Sequence, residues 1–273
     1  MSNGVLCFAN NNEINYIKQA EQLAIRIKKY MGLPTSLCTS DQYSNSGKIF
    51  DKIIKLKEGQ PNNKRYYDTV DFKTLNFKNY SRCKSYDLSP YDKTLVLDVD
   101  YIITNNKLSD AFINGDFKIY RHGVDLCPWR KYKEFDFIND KGVPFYWATC
   151  FYFVKNQEHK IFFDLLKHIS ENWNHYKMVY DIDARNFRND HLFSIGIHMM
   201  NGFEDNDWAK PMPGKMYYTL DRDELIEIDK EKLKFLLEKE HTRNEYILGS
   251  IRDANVHVMN KFSLERLLWQ KDM

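Results

Sequence analysis

"TLVLDVDYIIT" (94–104) places two carboxylates, Asp98 and Asp100, one residue apart at the end of an apolar run. The T-L-V-L before them reads as a central strand. Strand side chains alternate between faces, so the two acids are expected on one face at the strand's C-terminal edge. Like charges held this close repel and raise a pKa unless a cation lies between them. The pair is therefore either a solvated strand end or a seat for a hard divalent ion such as Mg²⁺ or Mn²⁺. Three other D-x-D pairs, Asp181 with Asp183, Asp205 with Asp207 and Asp221 with Asp223, do not follow directly on such a strand.

The segments before this strand give the fold. "GVLCFA" (4–9) is a buried strand and "NNN" a loop. In "EINYIKQAEQLAIRIKKYMG" (13–32), Ile14, Ile17, Ala20, Leu23, Ala24, Ile27 and Met31 share one helical face. Gly32 stops that helix, Pro34 prevents its resuming, and "TSLCTSD" (35–41) is the next strand. This is a β-α-β unit with a parallel pair and a right-handed crossover. Residues 42–80 are loop-rich around a short strand in "KIFDKIIKL" (48–56), and "NYSRCKSYDLSPYD" (79–92) predicts a short helix closed by Pro90. The order predicts an α/β fold: an open, mostly parallel sheet flanked by helices, binding ligands beyond the carboxyl ends of its strands. Asn10 to Asn12, Thr39 to Asp41, and the Asp98/Asp100 pair all lie at that edge.

Downstream, "VPFYWATCFYFVKN" (143–156) reads as one or two strands, with "WATC" as a small-residue turn, and "QEHKIFFDLLKHISENWNHY" (157–176) as an amphipathic helix. "NDHLFSIGIHMMNG" (189–202) is a helix capped by Asn189 or Asp190 and ended at Gly202. "DKEKLKFLLEKE" (229–240) is expected as a surface helix and "FSLERLLWQ" (262–270) as a final one. Without internal repeats or a long linker, one domain is expected, with halves at 1–105 and 106–273.

Composition bounds the function. At 273 residues, 43% apolar and 15% aromatic, the chain can bury a substantial core. Five scattered cysteines without C-x-x-C spacing argue against a disulfide framework and a structural zinc site. The N-terminus lacks the basic region of a secretory signal, and no apolar stretch reaches membrane-spanning length, so a cytoplasmic location and no membrane partner are expected. A net charge of +2 does not by itself imply a nucleic-acid partner. Bases do outnumber acids between Arg26 and Arg65, which reads as a phosphate-facing surface or a merely solvated face.

Two enzyme classes put a D-x-D after an apolar strand. In a haloacid-dehalogenase-type phosphatase Asp98 would be the nucleophile and Asp100 an acid/base. That pattern sits close to a chain's N-terminus and needs a later acidic element, whereas here a complete β-α-β unit precedes the pair. "GVLCFANN", "LPTSLCTSD", "LVLDVDYII", "FYWATCFYF", "NDHLFSIGIHMMNG" and "VHVMNK" instead occur in the order found in GT-A-fold glycosyltransferases. The chain resembles that family over most of its length. It is most similar to small nucleotide-sugar transferases encoded by tailed phages, and more distantly to glycogenin-like retaining enzymes.

The resemblance implies a GT-A-like (Rossmann-like) fold, with a nucleotide-sugar half, an acceptor half and a C-terminal metal and diphosphate element. It implies transfer of a sugar from a nucleoside diphosphate, such as a UDP-sugar, with Mn²⁺ or Mg²⁺ as cofactor. Ala9, Asn10 and Asn11 would meet the nucleoside, with Thr39 and Asp41 near the base. Arg82 and Lys84 would face the phosphates or donor sugar. Asp98 would contact ribose or metal, Asp100 would bind the metal, His257 would be its third protein ligand and Lys261 would hold the diphosphate. The family's histidine-to-lysine spacing is longer and contains a glycine absent here. Asp190, with Asn189 beside it, is either the carboxylate that meets donor sugar and acceptor or a helix cap. His191 is a further candidate there. Trp147 is a floor beneath the sugar or core packing, and His198 reads as a core histidine. With phage-like kin the host cytoplasm is the expected compartment, and a hydroxymethylated pyrimidine in DNA is one candidate acceptor, a surface glycan or small molecule the others.

Overall fold

The computed structural model describes residues 1–45, 47–57, 63–66, 74–77, 81–127, 130–184, 187–220, 224–240, 242 and 245–269. The chain opens with β1 (Asn3–Phe8), α1 (Tyr16–Met31), β2 (Thr35–Thr39) and β3 (Ile53–Lys55). A hairpin, β4 (Asn63–Tyr66) with β5 (Thr74–Phe77), and helix α2 (Ser85–Leu88) lead to β6 (Lys93–Leu97) and β7 (Tyr101–Ile102). Then come β8 (Lys118–Tyr120), β9 (Gly123–Asp125), β10 (Trp147–Val154), α3 (Gln157–Glu171), α4 (Trp173–Val179) and α5 (Asn189–Met200). The last part holds β11 (Lys210–Pro211), β12 (Met216–Thr219), β13 (Leu225–Asp229), β14 (Lys232–Glu238), β15 (Tyr246–Arg252), β16 (Val256–Val258) and α6 (Lys261–Trp269).

Seven strands form the main sheet in the order β11-β8-β10-β6-β1-β2-β3. β6, β1, β2 and β3 run parallel, while β10 lies antiparallel to both neighbours. The expected β-α-β unit is present: α1 buries Ile17, Ala20, Leu23, Ala24 and Ile27, Asn15 caps its start through a bond from Lys18 N at 3.0 Å, and Gly32 closes it in the left-handed conformation. Across the sheet, α3 and α5 cover β10 with rings. Phe151 meets Phe193 at 4.7 Å and Phe153 meets Phe163 at 4.8 Å between centroids. Edge and tilted ring packing of this kind stabilises beyond the apolar area it removes from water.

Gly4 on β1 marks a close approach, because a Cβ there would run into the ring of Tyr91. That ring is pinned by its hydroxyl, 2.7 Å from Ser36 Oγ and 3.2 Å from Asp51 Oδ2. Overpacking of this kind costs about 1–3 kcal/mol, so Gly4→Ala is expected to lower the urea midpoint accordingly. An unchanged midpoint would mean that Tyr91 moves freely.

A second sheet, β7-β16-β12-β9, gathers four short strands from distant parts of the chain. Its β7–β16 edge is stitched by Thr104 and Asn255: Thr104 Oγ1 donates to Ala254 O at 2.9 Å and Thr104 N to Asn255 Oδ1 at 3.0 Å. A third sheet, β13-β14-β15, is antiparallel throughout. Buried Arg130 joins it to the second sheet, donating to Glu224 Oε1 at 2.8 Å and to Asp125 Oδ1 at 3.0 Å.

Several expectations need correction. Residues 229–240 form no helix: β14 alternates buried Leu233 and Phe235 with Lys232 and Lys234, a period of two that suits a strand between two partners. Lys230, at φ 48°, makes the turn into it. Residues 157–176 break at Asn172 into α3 and α4, and "WATC" is the start of β10 rather than a turn. In the segment before Pro90, a 3₁₀ turn at Ser81–Lys84 runs into α2. Asp181 and Asp183 lie exposed in a loop, as do Asp205 and Asp207, while Asp221 and Asp223 fall outside the described residues. Among the described residues, no helix is long and apolar enough to cross a membrane.

Candidate active site

The two acids do not converge by strand alternation. β6 ends at Leu97, and Asp98 to Asp100 carry the chain across a turn from the main sheet into β7 of the second. Asp98 remains tied to the main sheet through its N–H on Thr149 O at 2.9 Å. Asp100 belongs to the second sheet, its carbonyl accepting from Val258 N at 2.9 Å. The antiparallel pairing of β7 with β16 puts His257 opposite Tyr101, beside Asp100. The imidazole stacks on the Tyr101 ring at 5.0 Å and 19°, and the Tyr101 hydroxyl lies 3.0 Å from Thr149 Oγ1.

One carboxylate oxygen each from Asp98 and Asp100 and one ring nitrogen of His257 lie within 4.8 Å of one another. His257 Nε2 is 3.2 Å from Asp100 Oδ2, and Lys261 Nζ, at the first residue of α6, contacts the same oxygen. Asp98 Oδ1 is ion-paired with Arg82. Burial pushes the Asp98 carboxyl up to about 6, against the pull of Arg82, and the Asp100 charge pushes it the same way. Asp100 is the more deeply buried of the two, yet His257 and Lys261 hold it far below the usual carboxylate range. Asp100 is thus firmly anionic, while Asp98 owes its charge to its pairing with Arg82.

The donor set suits a divalent ion. Two carboxylate oxygens and one imidazole form a mixed donor set that can hold a divalent ion. Bonds of about 2.1 Å to one such ion separate its donors by up to about 4.2 Å, so small side-chain rotations close the group. Asp100 Oδ1 is buried without a hydrogen-bond partner, a vacant acceptor that a cation satisfies.

Ala148 on β10 joins this group to a second one. Its carbonyl accepts from Arg82 Nη1 at 3.2 Å, and its N–H donates to Asp190 Oδ1 at 3.0 Å. Asp190 therefore serves β10 with that oxygen and does not cap α5; Arg188 stands at the N-cap and Asn189 is the helix's first residue. Asp190 Oδ2 faces Arg188 Nη2 at 3.4 Å, and that guanidinium lies over the rings of Phe135 and Phe145. His191 is buried edge-on to Phe145, and partly buried His198 packs on Tyr180 and Phe203. Trp147 is 1% exposed and wedged among Phe135, Phe145 and Tyr218, so it belongs to the core beneath the site.

The remaining candidates occupy the carboxyl ends of β1 and β2. Ala9 N bonds to Cys38 O at 3.0 Å. Asn10 Oδ1 accepts from Ser40 N at 2.7 Å, and Asp41 Oδ2 accepts from Asn11 N at 2.5 Å. Asn11 Oδ1 holds the first turn of α1 through Ile17 N at 3.0 Å, and Thr39 Oγ1 accepts from Asp41 N at 3.1 Å. These bonds shape a paired loop at the carboxyl ends of β1 and β2. Arg82 is buried against Asp98, while Lys84, exposed on the same turn, stands apart from the buried group. In the basic stretch Arg26 is withdrawn to Ile103 O, whereas Lys28, Lys29, Lys48, Lys52, Lys55 and Lys57 are exposed. Tyr101, Ala148 and Arg188 also support the site; Tyr101 directly follows Asp100 and Arg188 stands two residues before Asp190, but no sequence signal marks Ala148, which acts through its backbone.

No protein-family model and no curated protein matches the sequence. Among solved structures the chain is similar to the glycosyltransferase GlyE of Streptococcus pneumoniae TIGR4, at TM-score 0.46 and 17% identity over 82% of this chain and 46% of that one. It is also similar to the galactosyltransferase LgtC in complex with donor and acceptor sugar analogues, at TM-score 0.44 and 16% identity over 71% of this chain and 70% of that one. The bifunctional glycosyltransferase WbbM matches at TM-score 0.37 and 13% identity, over 62% of this chain. The chain spans about half the length of GlyE.

Proposed function

We propose that this chain is a glycosyltransferase that moves a sugar from a nucleoside diphosphate to an acceptor hydroxyl. The observation that carries the reading is the convergence of Asp98, Asp100 and His257, with Lys261 against Asp100, where the parallel strands of an open α/β sheet end. In the transfer, the bond from the anomeric carbon to the diphosphate oxygen breaks and a bond to the acceptor oxygen forms. The acceptor proton leaves to a carboxylate or to the departing diphosphate. A bound Mg²⁺ or Mn²⁺ would supply charge stabilisation for that leaving group.

The chain's own groups would do the rest. Asp98, Asp100 and His257 hold the ion, and Lys261 meets the phosphates. Arg82 anchors Asp98 to β10 rather than reaching freely for the donor. Asn10 and Asp41 read the base, and Asn11 and Thr39 set their loop. Asp190, held between Ala148 N–H and Arg188, stabilises the sugar's positive charge or takes the acceptor proton, with Asn189 and His191 beside it. Trp147 supports this floor from beneath. Burial makes each of these interactions stronger than in water.

Mass spectrometry after incubation with UDP- and other nucleotide sugars is expected to show release of nucleoside diphosphate that requires Mn²⁺ or Mg²⁺. Release unaffected by chelation would contradict the ion's role. Hydroxymethylated DNA is one acceptor, for whose phosphates the exposed lysines between Lys28 and Lys57 offer contacts, and a glycan or small molecule is the other; duplex binding that weakens steeply with salt supports DNA, and no binding at low salt moves the acceptor to a glycan or small molecule. The phosphatase alternative requires Asp98 as an ionised nucleophile. Its Oδ1 is engaged by Arg82, which suits a paired group better than a free attacking one.

A further inference from the structure

We infer that Lys261 is a tethered stand-in for the cation, so that the site accepts a divalent ion and a diphosphate together and holds the free ion only weakly. This rests on the glycosyltransferase reading and adds to it the chemical state of the ligand. The charges give the reason. Asp98 and Asp100 bring two negative charges into a buried site, and Arg82 and Lys261 return two positive ones. The group is neutral as it stands.

A divalent ion added to that neutral group leaves two uncompensated positive charges where water is scarce, which is costly. A diphosphate arriving with the ion cancels them. Geometry points the same way. Lys261 Nζ and His257 Nε2 address the same oxygen, Asp100 Oδ2, so the ammonium competes for that carboxylate with an ion bound beside His257. Val258 O, 3.1 Å away, steadies the ammonium there. The lysine stem starts at the first residue of α6 and is 15% exposed, so it can swing toward solvent without unpacking the helix. An arriving diphosphate would receive the ammonium that the ion displaces. Ion and phosphate binding are then coupled through one side chain.

The test is calorimetric titration of Mn²⁺ into the intact protein, alone and with saturating UDP, for the parent, Lys261→Met and Lys261→Arg. For the parent, UDP is expected to tighten Mn²⁺ binding by about 10–100-fold, within the usual range of coupling between two sites. Lys261→Met is expected to bind Mn²⁺ alone about tenfold more tightly than the parent and to lose much of the UDP effect. Lys261→Arg, which keeps the charge, is expected to resemble the parent, and melting curves confirm that all three fold. If folded Lys261→Met binds free Mn²⁺ no more tightly than the parent, the lysine is not a stand-in and the inference fails, even where the enzyme proves to be an ion-dependent transferase. If no variant binds Mn²⁺ with or without UDP, the ion site itself is refuted and both readings fall.

Discussion

Asp100→Ala is expected to slow nucleotide-sugar turnover by about 10³-fold at saturating Mn²⁺, the scale set by removing a charge-stabilising element from a desolvated site. Asp100 is the member of the group most firmly held as an anion, with His257 and Lys261 on one oxygen and the other oxygen vacant. Its loss removes an ion ligand and leaves Lys261 without its counter-charge. The measurement is initial-rate release of nucleoside diphosphate, with melting curves to exclude unfolding. A folded variant within tenfold of the parent would take Asp100 out of the chemistry. Asp98→Ala should slow turnover less, because Arg82 and a raised pKa already moderate that carboxylate.

Arg130→Met is expected to destabilise the fold by about 3–5 kcal/mol, because it strands two buried carboxylates. Arg130, Asp125 and Glu224 all have side chains less than a tenth exposed, and Arg130 binds both acids. The loss should depend on pH with a definite sign. Burial raises the pKa of Asp125, while Cys127 N–H and Arg130 pull it down. Without Arg130 the folded-state pKa rises further above the unfolded value of about 3.9, so stability is kept below that value and lost as pH climbs. Urea denaturation should therefore show a larger deficit at pH 7 than at pH 5. A deficit under about 1 kcal/mol at both values would show that water reaches the acids once the guanidinium is gone. Replacing all three residues by apolar ones of similar volume should recover much of the loss.

The N-terminal β-α-β region and β6 were readable because their signals are local. Helical spacing from Ile14 to Met31, the Gly32 stop and the apolar runs at 4–9, 35–39 and 94–97 each follow from neighbours in sequence. Asp98, Asp100 and His257 stand together as the resemblance implied. What misled was tertiary. Residues 229–240 are rich in good helix formers, and only pairing with β13 and β15 makes them a strand. Asp190 has the address of a cap, yet a backbone N–H from β10 claims it. The turn at Asp98–Asp100 looks like continuous strand in sequence, because a chain passing between sheets keeps its apolar residues on either side.

The pairing of β7 with β16 has a consequence for biosynthesis. Tyr101 and His257 are partners in that ladder although 155 residues lie between them. Asp98 and Asp100 must emerge from the ribosome long before the histidine and lysine that neutralise them. Until translation passes residue 261 the growing chain carries the two acids without His257 and Lys261, and the cluster is completed only when β16 and the first residue of α6 have been made.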